Sequence, residues 1–432
     1  MVFMHGGAFV YAAGGAAIYD GRALADISSQ INKPTIIISV NFRLGVFGFL
    51  ASKEIREYNL EFGEEGVGNY GLWDQVQALR WVQRHIAAFG GDPNRVTLFG
   101  QSAGGVSANV HLLRDEPLFS STIIQSGLLP LCGVLSVEEY QGIYDKLLSA
   151  LEIPMDLPAR ERLQRLIDVD EDKLTAAMVP SMPKYSDYAN FKPPSWCTRI
   201  MIGDVANECV IWNKSFRSMD APTLVDRIKS FLGSESKAEK LISLYNINPA
   251  DDRDDSFWKV EKFTTEGLYT AVNWTLIRSF SAVYAYHFDV PSPFDNDWSG
   301  LAHHSLDNVY VWSLLREHLP PSHREISANM SSMWLKFANG QEPWERFDRN
   351  GRFMIFQEDQ CVLKTAGQDA ARGYRIWEEI EREDLLDDFH KVSEELCMRW
   401  EEITDSKREP KAMVVGEFDE YGIKRKSKAA WN

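Results

Sequence analysis

A chain of 432 residues, 44% hydrophobic and 25% charged, has ordinary globular composition and enough length for a large core. Its formal net charge of −16 argues against nucleic acid and anionic membrane as partners, since both would repel such a surface. No run is apolar and long enough for a transmembrane helix, and no repeat or low-complexity tract is visible.

Met1 to Met4 reads as a short buried strand that runs directly into His5-Gly6-Gly7-Ala8. Glycines suit a turn whose backbone itself must approach a ligand, so the N–H groups of Gly7 and Ala8 are candidate donors. Met1 to Tyr19 carries no positive charge and lacks the basic start of a signal peptide, so it is read as working structure. Pro34 to Asn41 contains the consecutive β-branched residues Thr35, Ile36, Ile37 and Ile38 and reads as a buried parallel strand. Glu61 to Gly68 is an acidic, glycine-rich loop. Leu72 to about Ala88 is an amphipathic helix with apolar face Leu72, Val76, Leu79, Val82 and Ile86, stopped by Gly90-Gly91.

Val96 to Val106, VTLFGQSAGGV, is the most informative stretch. A β-rich run ends in Gly100-Gln101-Ser102-Ala103-Gly104, and small residues in a helical pattern follow. This is a strand, a tight turn and a helix with G-x-S-x-G in the turn. Such an elbow is strained, lifts the Ser102 hydroxyl clear of the sheet, and points the Ala103 N–H at the same place. Serine is a weak nucleophile and needs a base and oxyanion donors.

Ser121 to Gln125 is a further strand. Leu128 to Asn190 is mostly helical and reads as an insertion over the sheet. Thr198 to Gly203 returns to strand, with the loop Asp204 to Cys209 at its end. Ser218 to Val272 is helical again. Ala282 to Phe288 is a strand followed by a loop that holds His303 and His304, and Ile326 to Ala338 is a helix. From Glu378 the chain is strongly charged and ends in the basic stretch Lys424 to Lys428, read as a solvated tail. Alternating strands and helices define an α/β protein with a mainly parallel sheet, whose sites lie at the carboxyl ends of its strands. The glycine turn, the elbow, the loop after Gly203 and the histidine loop all fall at such ends.

The nine histidines do not compete equally for the role of base. His5 belongs to the glycine turn, where packing and hydrogen bonding are expected. His85 and His111 fall on helices and His287 inside a strand. The adjacent His303 and His304 lie on a strand-end loop and are the candidates for the base, and for the acid Glu208, Asp204 and Asp289 compete. The five cysteines form no C-x-x-C, so neither a zinc site nor a redox pair is indicated, and a cytoplasmic chain with buried thiols is slightly preferred. Sequons stand at Asn213, Asn273 and Asn329 and matter only for a secreted chain. Trp196 and Phe191 are candidates for lining a site entrance, with core packing the competing role.

GNYGLWDQVQALRWVQRHIAAFGGDPNRVTLFGQSAGG, Gly68 to Gly105, resembles the signature of type-B carboxylesterases, the cholinesterase-like branch of the α/β-hydrolases. MHGGAF fits that family's oxyanion turn, GDVANE its acid loop, HSLDNVYVW its histidine loop and MWLKFANGQEPW its late helix and turn. The resemblance covers about residues 1 to 345, with helical insertions near 128–190 and 218–272. Residues 346–432 then form a C-terminal extension completing the domain.

It implies Ser102 as nucleophile, Glu208 as acid, His304 as base, and Gly7, Ala8 and Ala103 as oxyanion donors. The order serine, acid, histidine is the one expected of this fold. The implied activity is hydrolysis of small carboxylic esters with no metal or organic cofactor. A binding or adhesion homologue and an amidase or lipase-like enzyme are the alternatives. Gln101 departs from the cholinesterases, which carry an acidic residue there, and this weakens the case for a cationic choline ester. The family also carries strands before the glycine turn. If the short start is real, the strand Pro34 to Asn41 is expected to be an exposed apolar edge and activity is expected to suffer; if the true N-terminus lies upstream, a secreted protein is the alternative to a cytoplasmic one.

Overall fold

The computed structural model describes residues 1–131, 136–177 and 194–398. Eight strands form one sheet: β1 (Val2–Met4), β2 (Ile38–Val40), β3 (Thr97–Gln101), β4 (Ser121–Gln125), β5 (Arg199–Val205), β6 (Val283–Phe288), β7 (Arg352–Phe356) and β8 (Cys361–Thr365). Their spatial order is β2-β1-β3-β4-β5-β6-β7-β8. All neighbours are parallel except the last pair, where β8 runs antiparallel to β7. The central strands are buried on both faces, which is why they read as continuous apolar runs rather than alternating ones.

Two cores follow from the strand period of two. Leu98, Ile124 and Ile202 face one large cluster. Phe99, Ile123 and Met201 face a second cluster on the other side. In that second cluster Phe3, Phe99 and Trp312 meet with ring centroids 4.9 to 5.6 Å apart. Burying rings of this size contributes roughly 1.5–3 kcal/mol each. The consequence is positional, because Trp312 ends the helix Leu306–Trp312 that follows the histidine loop.

The first long helix spans Tyr70–His85 and continues as a 3-10 turn over Ile86–Phe89, so the periodic stretch expected from the sequence is one helix with a tightened end. Gln75 on this helix binds Ser107 Oγ at 3.0 Å and His111 Nε2 at 2.8 Å, which fastens it to the helix after Ser102. The helix Val137–Ala150 starts with a capping box from Ser136 and Glu139. With Val46 and Leu50 it forms a third, smaller core. The helices Ala221–Leu232, Glu235–Leu244 and Arg253–Thr265 occupy the second helical stretch, and the helix Leu386–Cys397 packs against them.

Three features differ from the sequence expectation. Only Ile38–Val40 of the β-branched run pairs as a strand, and among the described residues it pairs with β1 alone. Strands β7 and β8 lie in a region to which the sequence assigned none. Asp204 belongs to β5 rather than to the loop beyond it, because β5 and β6 stay in register through Val205 and Phe288. The basic C-terminal stretch, Phe191 and Cys132 lie outside the described residues. No helix among the described residues is long and apolar enough to cross a membrane.

Candidate active site

Strand β3 is buried throughout and delivers Ser102 at its carboxyl end. Ser102 has φ 56° and ψ −125°, a conformation that costs a non-glycine residue on the order of 1–3 kcal/mol. The neighbours hold it there: Ser102 N–H donates to Gln125 O at 2.8 Å, and its carbonyl accepts from Val106 N–H at 2.9 Å. The helix Ala103–His111 starts at once. A Cβ on Gly104 would lie 1.8 Å from Met4 O, so strand β1 and this helix can pass only over a bare Cα.

His5-Gly6-Gly7-Ala8 follows β1, which lies beside β3 with Met4 opposite Gly100. The turn has three consecutive positive φ angles, 102° at Gly7, 54° at Ala8 and 59° at Phe9. The Gly7 carbonyl is tied into it, accepting from Val10 N–H at 2.9 Å and Tyr11 N–H at 2.8 Å. A Cβ on Gly6 would sit 3.1 Å from Ser102 Cβ, which puts the glycine turn against the elbow. His5 stacks on Phe42 at 4.4 Å and its Nδ1 meets Gly6 O at 2.7 Å, so it packs and bonds as expected. Burial holds its imidazole below the ordinary value.

Glu208 follows the end of β5 and is fully buried. Its Oε1 accepts from Val205 N–H at 3.0 Å. Its Oε2 lies 2.5 Å from His304 Nδ1. His304 is 2% exposed, so the pair is closed off from solvent. The other face of its ring meets Tyr269 with centroids 5.4 Å apart. Tyr269 belongs to a π-helical turn, Glu266–Thr270, a rare local geometry that recurs at functional sites.

The backbone around the pair is pinned as well. Asn207 N–H donates to Ala302 O at 2.9 Å, and Asn207 and His303 form an isolated parallel bridge. His303 turns its Nδ1 to His304 O at 2.9 Å and packs on Trp298, so it does not share Glu208. Burial lowers its imidazole to about 4.

The rival acids have other partners. Asp204 Oδ1 lies 2.6 Å from His287 Nδ1, directly across the β5–β6 register. Asp289 binds Arg372 at 2.7 Å. Trp196 packs on Phe119 and donates Nε1–H to Arg114 O at 3.1 Å.

Two partners of the site were noted in the sequence but given no role there. Asp307 is fully buried and accepts from Gln125 Nε2 at 2.8 Å and Tyr286 OH at 3.2 Å. Burial first, and then the charge of Glu208, push its carboxyl up to about 6. Gln125 also accepts from Trp334 Nε1–H at 3.2 Å, so strand β4, the histidine helix and the helix Pro321–Ala338 are joined through one amide. The second partner is Gln101, whose side-chain Nε2 lies 3.1 Å from His304 Nε2. Asp307 entered the sequence reading only as part of the histidine-loop motif and Gln101 only as a departure from the cholinesterases.

A serine elbow at the carboxyl end of a central parallel strand, with a buried carboxylate–imidazole pair on later strand ends, defines an α/β-hydrolase. Solved structures agree on the fold: a PNB esterase superposes with TM-score 0.64 at 24% identity over 86% of this chain and 80% of that one. A thermophilic PNB esterase does so with TM-score 0.65 at 24% identity over 86% and 79%. A model of the carboxylesterase family matches residues 1–196.

Para-nitrobenzyl esterase of Bacillus subtilis is 27% identical over 411 residues, 86% of this chain and 78% of that protein. Lipase 3 of Yarrowia lipolytica is 27% identical over 380 residues, 82% and 70%. Acetylcholinesterase of Danio rerio is 42% identical over 130 residues, 30% of this chain and 18% of that protein. The chain is similar to type-B carboxylesterases, through the family model over residues 1–196 and these relatives, and the likeness supports a carboxylic ester hydrolase.

Proposed function

We propose that the protein cleaves small carboxylic esters through an acyl-enzyme, with Ser102 as nucleophile, His304 as general base and acid, and Glu208 as the group that orients His304. With His304 Nδ1–H held by Glu208, the neutral ring carries its lone pair on Nε2. Ser102 Oγ attacks the ester carbonyl carbon while its proton passes to Nε2. Glu208 then stabilises the imidazolium without itself taking the proton. The negative charge that gathers on the carbonyl oxygen is met by the N–H groups of Gly7, Ala8 and Ala103, each worth on the order of 3 kcal/mol of barrier. The tetrahedral adduct collapses, Nε2–H protonates the departing alkoxide, and an ester between Ser102 and the acyl group remains. Water, deprotonated by His304, cleaves that ester and restores the serine.

The observation that carries this reading is the 2.5 Å approach of buried Glu208 to buried His304, whose Nε2 lies 3.1 Å from the side chain of Gln101, the residue before the strained serine. Every step draws on groups of this chain. Hydrolysis of p-nitrophenyl acetate by the unaltered protein, by Ser102→Ala and by His304→Ala tests it. Loss of at least about a thousandfold in kcat is expected for both variants. Full activity in either would refute the assignment.

A further inference from the structure

Gln101 is the last residue of β3 and is 1% exposed. Its side chain lies between the glycine turn and the imidazole. A Cβ on Gly6 would come within 2.9 Å of its Oε1, and its Nε2 is 3.1 Å from His304 Nε2. Because Glu208 accepts the hydrogen bond of Nδ1–H, Nε2 of the neutral ring offers one lone pair and no proton. The amide N–H of Gln101 is therefore donated to the atom that must receive the proton of Ser102. Two donors on adjacent residues compete for one acceptor.

We propose that Gln101 is a positioning residue that caps the catalytic base: its amide fills the Nε2 lone pair in the resting enzyme and yields it to the Ser102 hydroxyl when an acyl group occupies the glycine turn. This rests on the triad reading given above. The capped base is neutral and its tautomer is fixed at both nitrogens. The serine stays poorly activated until substrate arrives. A glutamate at the same place could not act this way, since a carboxylate has no proton to donate and would instead stabilise a protonated Nε2.

The charged or titratable groups facing His304 are Glu208 from the loop after β5, Asp307 and His303 from its own loop and helix, and Tyr269 from the π-helical turn.

Two variants test the cap. Gln101→Met keeps the side-chain length and removes the N–H. Gln101→Glu removes the N–H and adds a charge. The readouts are the second-order rate of Ser102 labelling by a small fluorophosphonate and the pH profile of kcat/KM for p-nitrophenyl acetate. Loss of one neutral hydrogen bond to the resting base should speed labelling of Gln101→Met about fivefold at neutral pH. The acid limb of Gln101→Glu should move up by about one pH unit.

Unchanged or slower labelling in a folded Gln101→Met, with an unmoved acid limb in Gln101→Glu, would overturn the cap. Should Gln101→Met fail to fold, the acid limb of Gln101→Glu decides alone. If the unaltered protein labels at Ser102 while the variants do not shift, only the cap fails. If Ser102 of the unaltered protein does not label, the triad fails and the cap with it.

Discussion

Glu208 and His304 stand 96 residues apart in the chain and 2.5 Å apart in the fold, the carboxylate on the loop after β5 and the imidazole on the loop after β6. Neither reaches solvent, and Glu208 keeps a second bond from the Val205 N–H. A pair so placed fixes which imidazole nitrogen carries the proton.

Glu208→Gln should therefore fold and lose activity. The amide can present its N–H to Nδ1 and so favour the tautomer with the proton on the wrong nitrogen. A fall in kcat of about 10⁴ is expected, with an unchanged unfolding midpoint in urea. Activity within tenfold of the unaltered enzyme would speak against the role.

Asp307 should make stability depend on pH. Its folded carboxyl sits at about 6 against an ordinary 3.8, so the native state holds the proton more tightly than the unfolded chain. The stability this gives is fully present below pH 3.8 and is lost as pH rises through 6. The shift corresponds to roughly 3 kcal/mol. Asp307→Asn removes the titration. Its stability relative to the unaltered protein should improve between pH 4 and pH 7, read from urea midpoints at each pH. A constant difference would show that the carboxyl is not raised.

The second buried pair, Asp204 and His287, predicts structure rather than catalysis. Asn273 and Tyr374 complete it at 2.8 and 2.9 Å. Asp204→Ala leaves two buried donors, His287 Nδ1–H and the Asn273 amide, without their acceptor and should cost about 2–5 kcal/mol in chemical unfolding. Tyr374→Phe, which removes the hydroxyl's bonds to His287 and Asp369, should cost less, about 1–2 kcal/mol. Equal effects of the two substitutions would argue against Asp204 as the centre of this network.

Asn273 also closes one sequon. It is 2% exposed and its amide is donated to Asp204, so no glycosyltransferase can reach it in the folded protein. Peptide mapping of material made in a glycosylating host should find Asn273 bare. A glycan there would require a different local fold.

Most of the site was legible because its parts announce themselves locally. Gly6-Gly7 and Gly100 to Gly104 are places where only a bare backbone fits, and the strands leading into them are unbroken apolar runs. The partners of those parts were not legible. Gln101 meets His304 across 203 residues, and Asp204 meets His287 through strand register. Neither contact has any trace in local pattern. Strands β7 and β8 escaped because Arg352–Phe356 does not alternate and Cys361–Thr365 is only half-buried, so each is a strand only by virtue of its neighbour. The π-helical turn Glu266–Thr270 has no periodic signature at all. It interrupts what the sequence reads as continuous helix and by doing so sets Tyr269 against His304.

Mass-spectrometric mapping of the protein after reaction with a fluorophosphonate bears most directly on the central claim. One adduct per chain is expected, on the peptide containing Ser102, with loss of esterase activity in step with labelling. An adduct on any other residue, or full inactivation with Ser102 unmodified, would contradict it.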